Sequence, residues 1–510
     1  MVKTYCAAVM GLEAITVTVE TNSDRGVMFH LSGLADTSIK ESYDRIKAAI
    51  NNSGYKMPIA EITVNLSPAD IRKEGSGYDL PLAIGILATE NKVDSEHLGE
   101  YMLVGEIGLD GSLRPIRGAL PIAIRARKEK YRGLIVPREN VREAAVVNNL
   151  DVYGMDSLSD VIHFFNGTKD FTPERIDTRA VFYQQQSQFD LDFADVKGQE
   201  SVKRAMEVAA AGGHNLIMIG PPGSGKSMMA KRLPSILPPL SLHESLETTQ
   251  IHSVAGKLSR GTSLISQRPF RSPHHTISSV ALVGGGHNPQ PGEISLAHNG
   301  VLFCDELPEF NRSVLEVMRQ PLEDRKITIS RSRYTVEYPC SFMFVASMNP
   351  CPCGYYGHPT RKCTCTPMAV SRYLAKVSGP LLDRIDIHVE VMPVEFDDLS
   401  STRRAESSEV IRARVNAARK IQNERYAGTG ITCNAMLTPA MIQQYCVLTD
   451  GAKLLLKNAF EKMGLSARAY DRILKVARTI ADLDESENID TKHIAEALQY
   501  RSLDRKYWGN

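Results

Sequence analysis

Residues 220–227 read Gly220-Pro221-Pro222-Gly223-Ser224-Gly225-Lys226-Ser227. Glycines at these spacings let backbone N–H groups wrap phosphate oxygens, because no Cβ keeps the main chain away. Lys226 adds a point charge for β- and γ-oxygens, and the Ser227 hydroxyl can coordinate Mg2+. The chemistry predicted from these eight residues is the binding of a nucleoside triphosphate with its metal ion.

Two further polar tips follow apolar runs. "GVLFCDEL" (300–307) ends in Asp305-Glu306. Asp305 at a strand tip can hold Mg2+ through its water shell, and Glu306 can polarise an attacking water. The alternative is a strand that merely ends on two surface acids. "SFMFVASMNP" (341–350) ends in Asn349, which could orient that water or sense the γ-phosphate. A plain Asn-Pro turn is the other reading.

Directly after it, "CPCGYYGHPTRKCTC" (351–365) places Cys351, Cys353, Cys363 and Cys365 as two Cys-x-Cys pairs separated by nine residues. Four thiolates could close a tetrahedral structural Zn2+ site in a loop too short and polar to build its own core. Cys-x-Cys is a less common zinc spacing than Cys-x2-Cys, and His358 could replace one cysteine. Four reduced thiols in a surface loop are the alternative. A rigid knuckle here would fix the Asn349 tip or present Arg361 and Lys362 to nucleic acid. Its role would be support beside the site, not catalysis.

These residues need strands and helices to position them. "NLIMI" before the phosphate loop reads as a buried strand, and "MMAKRL" after it starts a helix. With the Asp305 and Asn349 strands this predicts a parallel sheet with all three tips side by side. The α/β unit spans 191–396, and helix-periodic, charged residues 397–510 form a helical lid. Residues 1–167 alternate strand ("AITVTVE", "VMFHLSGL", "EITVNLSP", "GLIVP") and helix ("TSIKESYDRIKAAINNSG", "DLPLAIGILATEN", "SLSDVIHFFNG") patterns. The polar stretch 168–190 lacks steady periodicity and reads as a linker.

At 510 residues, 43% apolar and 23% charged, the chain is a soluble globular protein of two to four domains. It shows no signal peptide and no stretch long enough to span a bilayer, which predicts a cytoplasmic protein with reduced thiols and no membrane contact. A net charge of +1 gives no global attraction to a polyanion, so any nucleic-acid surface must be local.

"GPPGSGKS", "VLFCDE", "SMNP" and "GPLLDRIDIHVEV", in this order, together with "RPFRSPHHTISSVALVGGG" and "LSARAYDRILKVARTIADL", resemble the magnesium-chelatase-like AAA+ ATPases of the ComM/YifB competence-protein family. The resemblance covers nearly the whole chain. It implies an α/β multidomain fold, with a central AAA+ parallel sheet flanked by helices, a C-terminal helical lid, ATP and Mg2+ as ligands, and a homo-oligomeric ring, a hexamer. By the same resemblance Arg384 is the arginine finger offered to a neighbouring subunit, and Arg468 is the sensor-2 arginine of the lid. Otherwise Arg384 is an exposed arginine paired with Asp383 or Asp386, and Arg468 an ordinary helix-face charge.

"GEIGLDGSLRPIRGALPIAIRARK" resembles the proteolytic domain of Lon, a ribosomal-S5-like α+β fold. Gly77 stands where its nucleophilic serine belongs and Leu120 near its lysine, with Ser76 one residue out of register, so peptidase activity is not expected. The family resemblance implies a DNA motor of helicase or branch-migration type, acting in recombination during natural transformation on single-stranded or branched DNA threaded through the ring. Lys326, Arg331 and Arg333 around a predicted turn, and Arg268, Arg271, His274 and His275, are basic residues that together favour DNA, while each taken singly could equally be a solvated loop charge. The alternative is the ATPase subunit of a magnesium-chelatase-like complex that remodels a protein partner. An ATP-dependent protease, the third reading, stands or falls with Gly77 and Leu120.

Overall fold

The computed structural model describes residues 1–508 except 187–188, 260, 287–288, 331–334, 395–404 and 464. The chain divides into two compact units, and neither is continuous in sequence: the first comprises 1–185, 241–266 and 330–338, the second 186–240, 267–329 and 339–510. Among the described residues, no helix is long and apolar enough to cross a membrane.

The first unit is built on a seven-stranded sheet. Its spatial order is Phe29–Ser32, Glu61–Ser67, Glu13–Asp24, Val2–Met10, Tyr101–Leu103, Gly133–Pro137 and Asp151–Met155. The opening strand, Val2–Met10, turns at Gly11 (φ +62°) and pairs antiparallel with Glu13–Asp24. That second strand buries Ala14, Val17, Val19 and Thr21, the period-two pattern of a half-buried strand. The helix Asp79–Thr89 is apolar all round and is buried from Asp79 to Ala88. Gly85 lets it close on the sheet, since a Cβ there would meet the Thr21 hydroxyl at 2.7 Å.

Two expectations are modified here. The stretch read as a linker contains the helix Thr178–Gln185, anchored by the buried Phe182 and by Thr178, whose hydroxyl donates to the Val146 carbonyl at 3.3 Å. One aromatic anchor produces no periodicity, so the pattern was silent. Residues 241–266, expected within the ATPase core, belong to the first unit. Their helix Leu242–Val254 bonds there through Gln250 to the Leu12 carbonyl and through Ser253 to Glu143, while Gly118 N–H donates to the Ser253 carbonyl at 3.1 Å.

The second unit carries a five-stranded, all-parallel sheet ordered Phe270–Arg271, Val301–Cys304, Met343–Met348, Leu216–Ile219, Ile387–Glu390. Its three central strands are buried at every residue, as parallel strands covered on both faces must be. The α/β fold expected is therefore the one adopted, with a helical C-terminal region that includes Ser408–Arg425, Asp450–Met463, Ala467–Leu483 and Thr491–Gln499. These helices share one apolar core with the sheet: Ile411, Val415, Ile473, Ala477 and Ile494 join Leu216, Phe303 and Val345. The boundary expected at 396/397 lies outside the described residues.

A candidate nucleotide site at the strand tips

Register brings the predicted residues together. Cys304 sits opposite Ala346, so the next residues, Asp305 and Ser347, are neighbours; Ile219 sits opposite Met348, so Gly220 and Asn349 are neighbours. Gly220 has no room for a side chain, because a Cβ would run into the Val391 carbonyl oxygen. Gly223 (φ +76°) and Gly225 (φ +88°) carry the chain through the left-handed region, which glycine enters without strain. Ser224 closes the turn by donating to the Pro221 carbonyl at 2.8 Å.

Lys226 opens the helix Lys226–Arg232 and is buried. Its Nζ donates to the carbonyls of Gly220 (2.8 Å) and Pro221 (2.9 Å) and to Asn349 Oδ1 (3.2 Å). Burial lowers the lysine's pKa, while Asp305 and Glu306 pull it back up. Ser227 Oγ donates to Asp305 Oδ2 at 2.6 Å, so the hydroxyl and carboxylate predicted to hold Mg2+ already converge. The other carboxylate oxygen of Asp305 accepts from Ser347 Oγ and from the Glu306 N–H at 3.1 Å.

Glu306 occupies the left-handed region at φ +53°, unusual for a residue with a Cβ. Its side chain is 58% exposed, and His275 Nδ1 lies 3.9 Å from it. A residue held in such a conformation at a site edge points to function. Ser347 was not foreseen. Its signal was a lone hydroxyl in the apolar run "MFVASM", two residues before Asn349 and therefore on the same side of the strand.

The two arginines implied by resemblance lie outside this cluster. Arg384 is buried, with Nε donating to the Arg319 carbonyl (3.1 Å), Nη1 to the Pro380 carbonyl (2.6 Å) and Nη2 paired with Glu323 (2.6 Å). It is neither exposed nor paired with Asp383 or Asp386. Asp386 instead accepts from Arg472 (3.1 Å) and lies 3.3 Å from His214 Nδ1. Arg468 stands exposed in the first turn of Ala467–Leu483.

Among the basic residues, Arg271 is spent on a bidentate pair with Glu293 (2.6 and 2.7 Å), and Arg268 on the carbonyls of Pro238 (2.6 Å) and Asn299 (2.7 Å). The Arg271 charge is thus balanced by a carboxylate, whereas the Arg268 guanidinium is held by main-chain carbonyls. The His274 and His275 rings lie 4.1 Å apart between centres, tilted by 33°. Strands Lys326–Ser330 and Thr335–Pro339 flank residues 331–334, and Arg331 and Arg333 lie outside the described residues.

In the first unit, Ser76 donates to the Glu106 carboxylate, and Leu120 is buried with its N–H on Glu143 (3.0 Å). With glycine at 77 and leucine at 120, those positions supply neither a nucleophile nor a base.

The four cysteines do assemble. Cys351 Sγ lies 3.4 Å from that of Cys353 and 3.7 Å from that of Cys363; Cys353 and Cys363 are 3.5 Å apart. All four ligand atoms, Cys365 included, lie within 4.8 Å of one another. His358, considered as a replacement ligand, has Nδ1 turned to the N–H groups of Thr360 (3.2 Å) and Arg361 (3.1 Å).

Comparison with known proteins gives matches along most of the chain. Residues 192–399 match the family described as magnesium chelatase, subunit ChlI; residues 19–140 match subunit ChlI of Mg-chelatase, and 405–501 its C-terminal part. The chain is similar to the competence protein ComM of Haemophilus influenzae, 44% identical over 506 residues, covering 98% of this chain and 97% of the relative. Similarity to the uncharacterized protein YifB of Escherichia coli is 45% over 504 residues, with the same coverage. A shorter match, 30% over 155 residues, covers 28% of this chain and 27% of Lon protease 2 of Bacillus subtilis.

Proposed function

Because the chain belongs to the magnesium-chelatase-like family of the ComM and YifB proteins, we propose that it is an ATP-driven DNA motor of helicase or branch-migration type, acting as a homo-oligomeric ring in the cytoplasm. An ATPase role rests on the family. The observation that carries the reading is the convergence of Lys226, Ser227, Asp305 and Asn349 through hydrogen bonds of 2.6–3.2 Å. The phosphate loop and Lys226 grip the β- and γ-phosphates. Ser227 and Asp305 would hold Mg2+, which when bound neutralises charge on the phosphate oxygens. Glu306 polarises the attacking water, and Asn349 links the γ-phosphate end of the site to Lys226. Arg468 closes the lid, and Arg384 acts on the neighbouring subunit's ATP after leaving Glu323. The four cysteines hold a structural Zn2+ ion outside the reaction.

The DNA side is supported by the similarity to a competence protein. A second reading, an ATPase that remodels a protein partner, is favoured by the match to magnesium-chelatase ChlI itself. Hydrolysis measured with single-stranded DNA, a branched junction and a protein substrate side by side separates them. DNA should stimulate in a salt-dependent manner; stimulation by protein alone selects the second reading. Lys226→Ala should abolish nucleotide binding, whereas Glu306→Gln should bind ATP without turning it over. Wild-type turnover by Glu306→Gln removes Glu306 from the mechanism.

A further inference from the structure

The cysteine knuckle is built onto the phosphate loop. Gly354, in the left-handed region at φ +84°, brings its backbone so near Pro222 that a Cβ would lie 2.5 Å from Pro222 Cδ and 3.2 Å from Cγ. Pro222 is the third residue of the phosphate loop. At its other end the knuckle follows Asn349-Pro350 directly, and Asn349 accepts from Lys226. The knuckle therefore meets the nucleotide cluster twice, once through the chain and once through the Gly354–Pro222 contact. Its outer flank is also braced: Tyr356 and Tyr507 rings lie 6.4 Å apart, and the Tyr507 hydroxyl donates at 3.0 Å to Glu390, the residue paired with Ile219 at the end of the phosphate-loop strand.

The sulfur geometry excludes disulfides and suits a tetrahedral ion. A tetrahedron of sulfurs around zinc, with bonds of about 2.3 Å, has edges of about 3.8 Å. The three separations of 3.4–3.7 Å approach that edge and are far from the roughly 2.05 Å of an S–S bond. Backbone N–H groups of Tyr356 (3.3 Å, to Cys351) and Cys365 (3.4 Å, to Cys363) point at sulfur. Cys351 is fully buried, and the other three are partly covered.

We propose that Cys351, Cys353, Cys363 and Cys365 hold a Zn2+ ion whose occupancy sets the affinity of the phosphate loop for ATP through the contact of Gly354 with Pro222. This rests on reading that loop as the ATP site. Without the ion, the polar turn has no core of its own to hold Gly354 against Pro222. The binding-competent fraction of the loop then falls, and apparent affinity falls in proportion.

The test uses the full-length protein, with zinc by elemental analysis and affinity by titration with a fluorescent ATP analogue. Wild type should carry one zinc per chain. Stripping with a chelator should weaken binding about tenfold, and adding zinc back should restore it. Cys363→Ser should lose both zinc and affinity. Gly354→Ala and Pro222→Ala should keep zinc yet bind ATP more weakly, which separates the brace from the ion. Zinc-free wild type, or iron in place of zinc, overturns the assignment of the ion. Unchanged affinity in the stripped protein overturns the coupling, even if Cys363→Ser misfolds. Zinc-loaded wild type that binds no ATP overturns the nucleotide-site reading and the coupling with it, and leaves the zinc standing.

Discussion

Ser347→Ala isolates one unforeseen part of the nucleotide cluster. The hydroxyl is fully buried, donates to Asp305 Oδ1 and lies 3.4 Å from the Glu306 N–H. It is a positioning residue, acting through the two acids beside it. A hydrogen bond to a charged group contributes about 1.5–3 kcal/mol. At about 1.4 kcal/mol per factor of ten, its loss should lower kcat roughly ten- to a hundredfold if the whole effect reaches the transition state. KM for ATP should change by less than about threefold, because the phosphate loop and Lys226 are untouched. The Mg2+ concentration for half-maximal activity should rise, since Asp305 loses the partner that aims it. Ser347→Thr, which keeps the hydroxyl, should recover part of the rate. Steady-state ATPase assays across ATP and Mg2+ concentrations read all four quantities. A kcat within twofold of wild type with an unshifted Mg2+ requirement would refute the reasoning, as would a loss of rate matched by a loss of folded protein.

Arg384→Ala should destabilise the isolated chain by about 1–3 kcal/mol, because it strips donors from Glu323 and from the carbonyls of Arg319 and Pro380. An arginine serving only a neighbouring subunit would leave the urea midpoint of the monomer where it was. At Asp386, burial alone would push the carboxyl up, but His214, Arg472 and Lys475 outweigh it and hold the group below the usual carboxylate range. A depressed folded pKa contributes stability above the unfolded value of about 4 and loses it as pH falls below that. The urea midpoint of wild type should therefore drop more steeply between about pH 5 and about pH 3 than that of Asp386→Asn, and parallel curves would contradict the assignment.

The nucleotide cluster was legible where its signals are local. A glycine pattern with lysine, and apolar runs ending on Asp305 and Asn349, carry their meaning within a few residues. Ser347 carries none until the register of two strands is known, since a serine in a buried strand is ordinary. Arg384 looked exposed because its partner, Glu323, lies on a distant segment. Arg271 looked available for DNA until Glu293 folded beside it. The helix Leu242–Val254 is bounded by a readable capping box at Ser241 and Glu244, yet nothing local says which unit receives it. That choice is made by single contacts such as Gln250 to Leu12.

The chain passes from one unit to the other at 185/186, 240/241, 266/267, 329/330 and 338/339. Removing residues 1–185 would thus not deliver the second unit alone; it would leave 241–266 and 330–338 without the rest of their unit, among them the buried Ile251, Val254, Leu264 and Val336, and offer them to aggregation. A chimera with a relative keeps its packing only if three separate stretches are exchanged together. Such interlacing ties the two units together covalently, so that no single cut in the chain releases either of them whole.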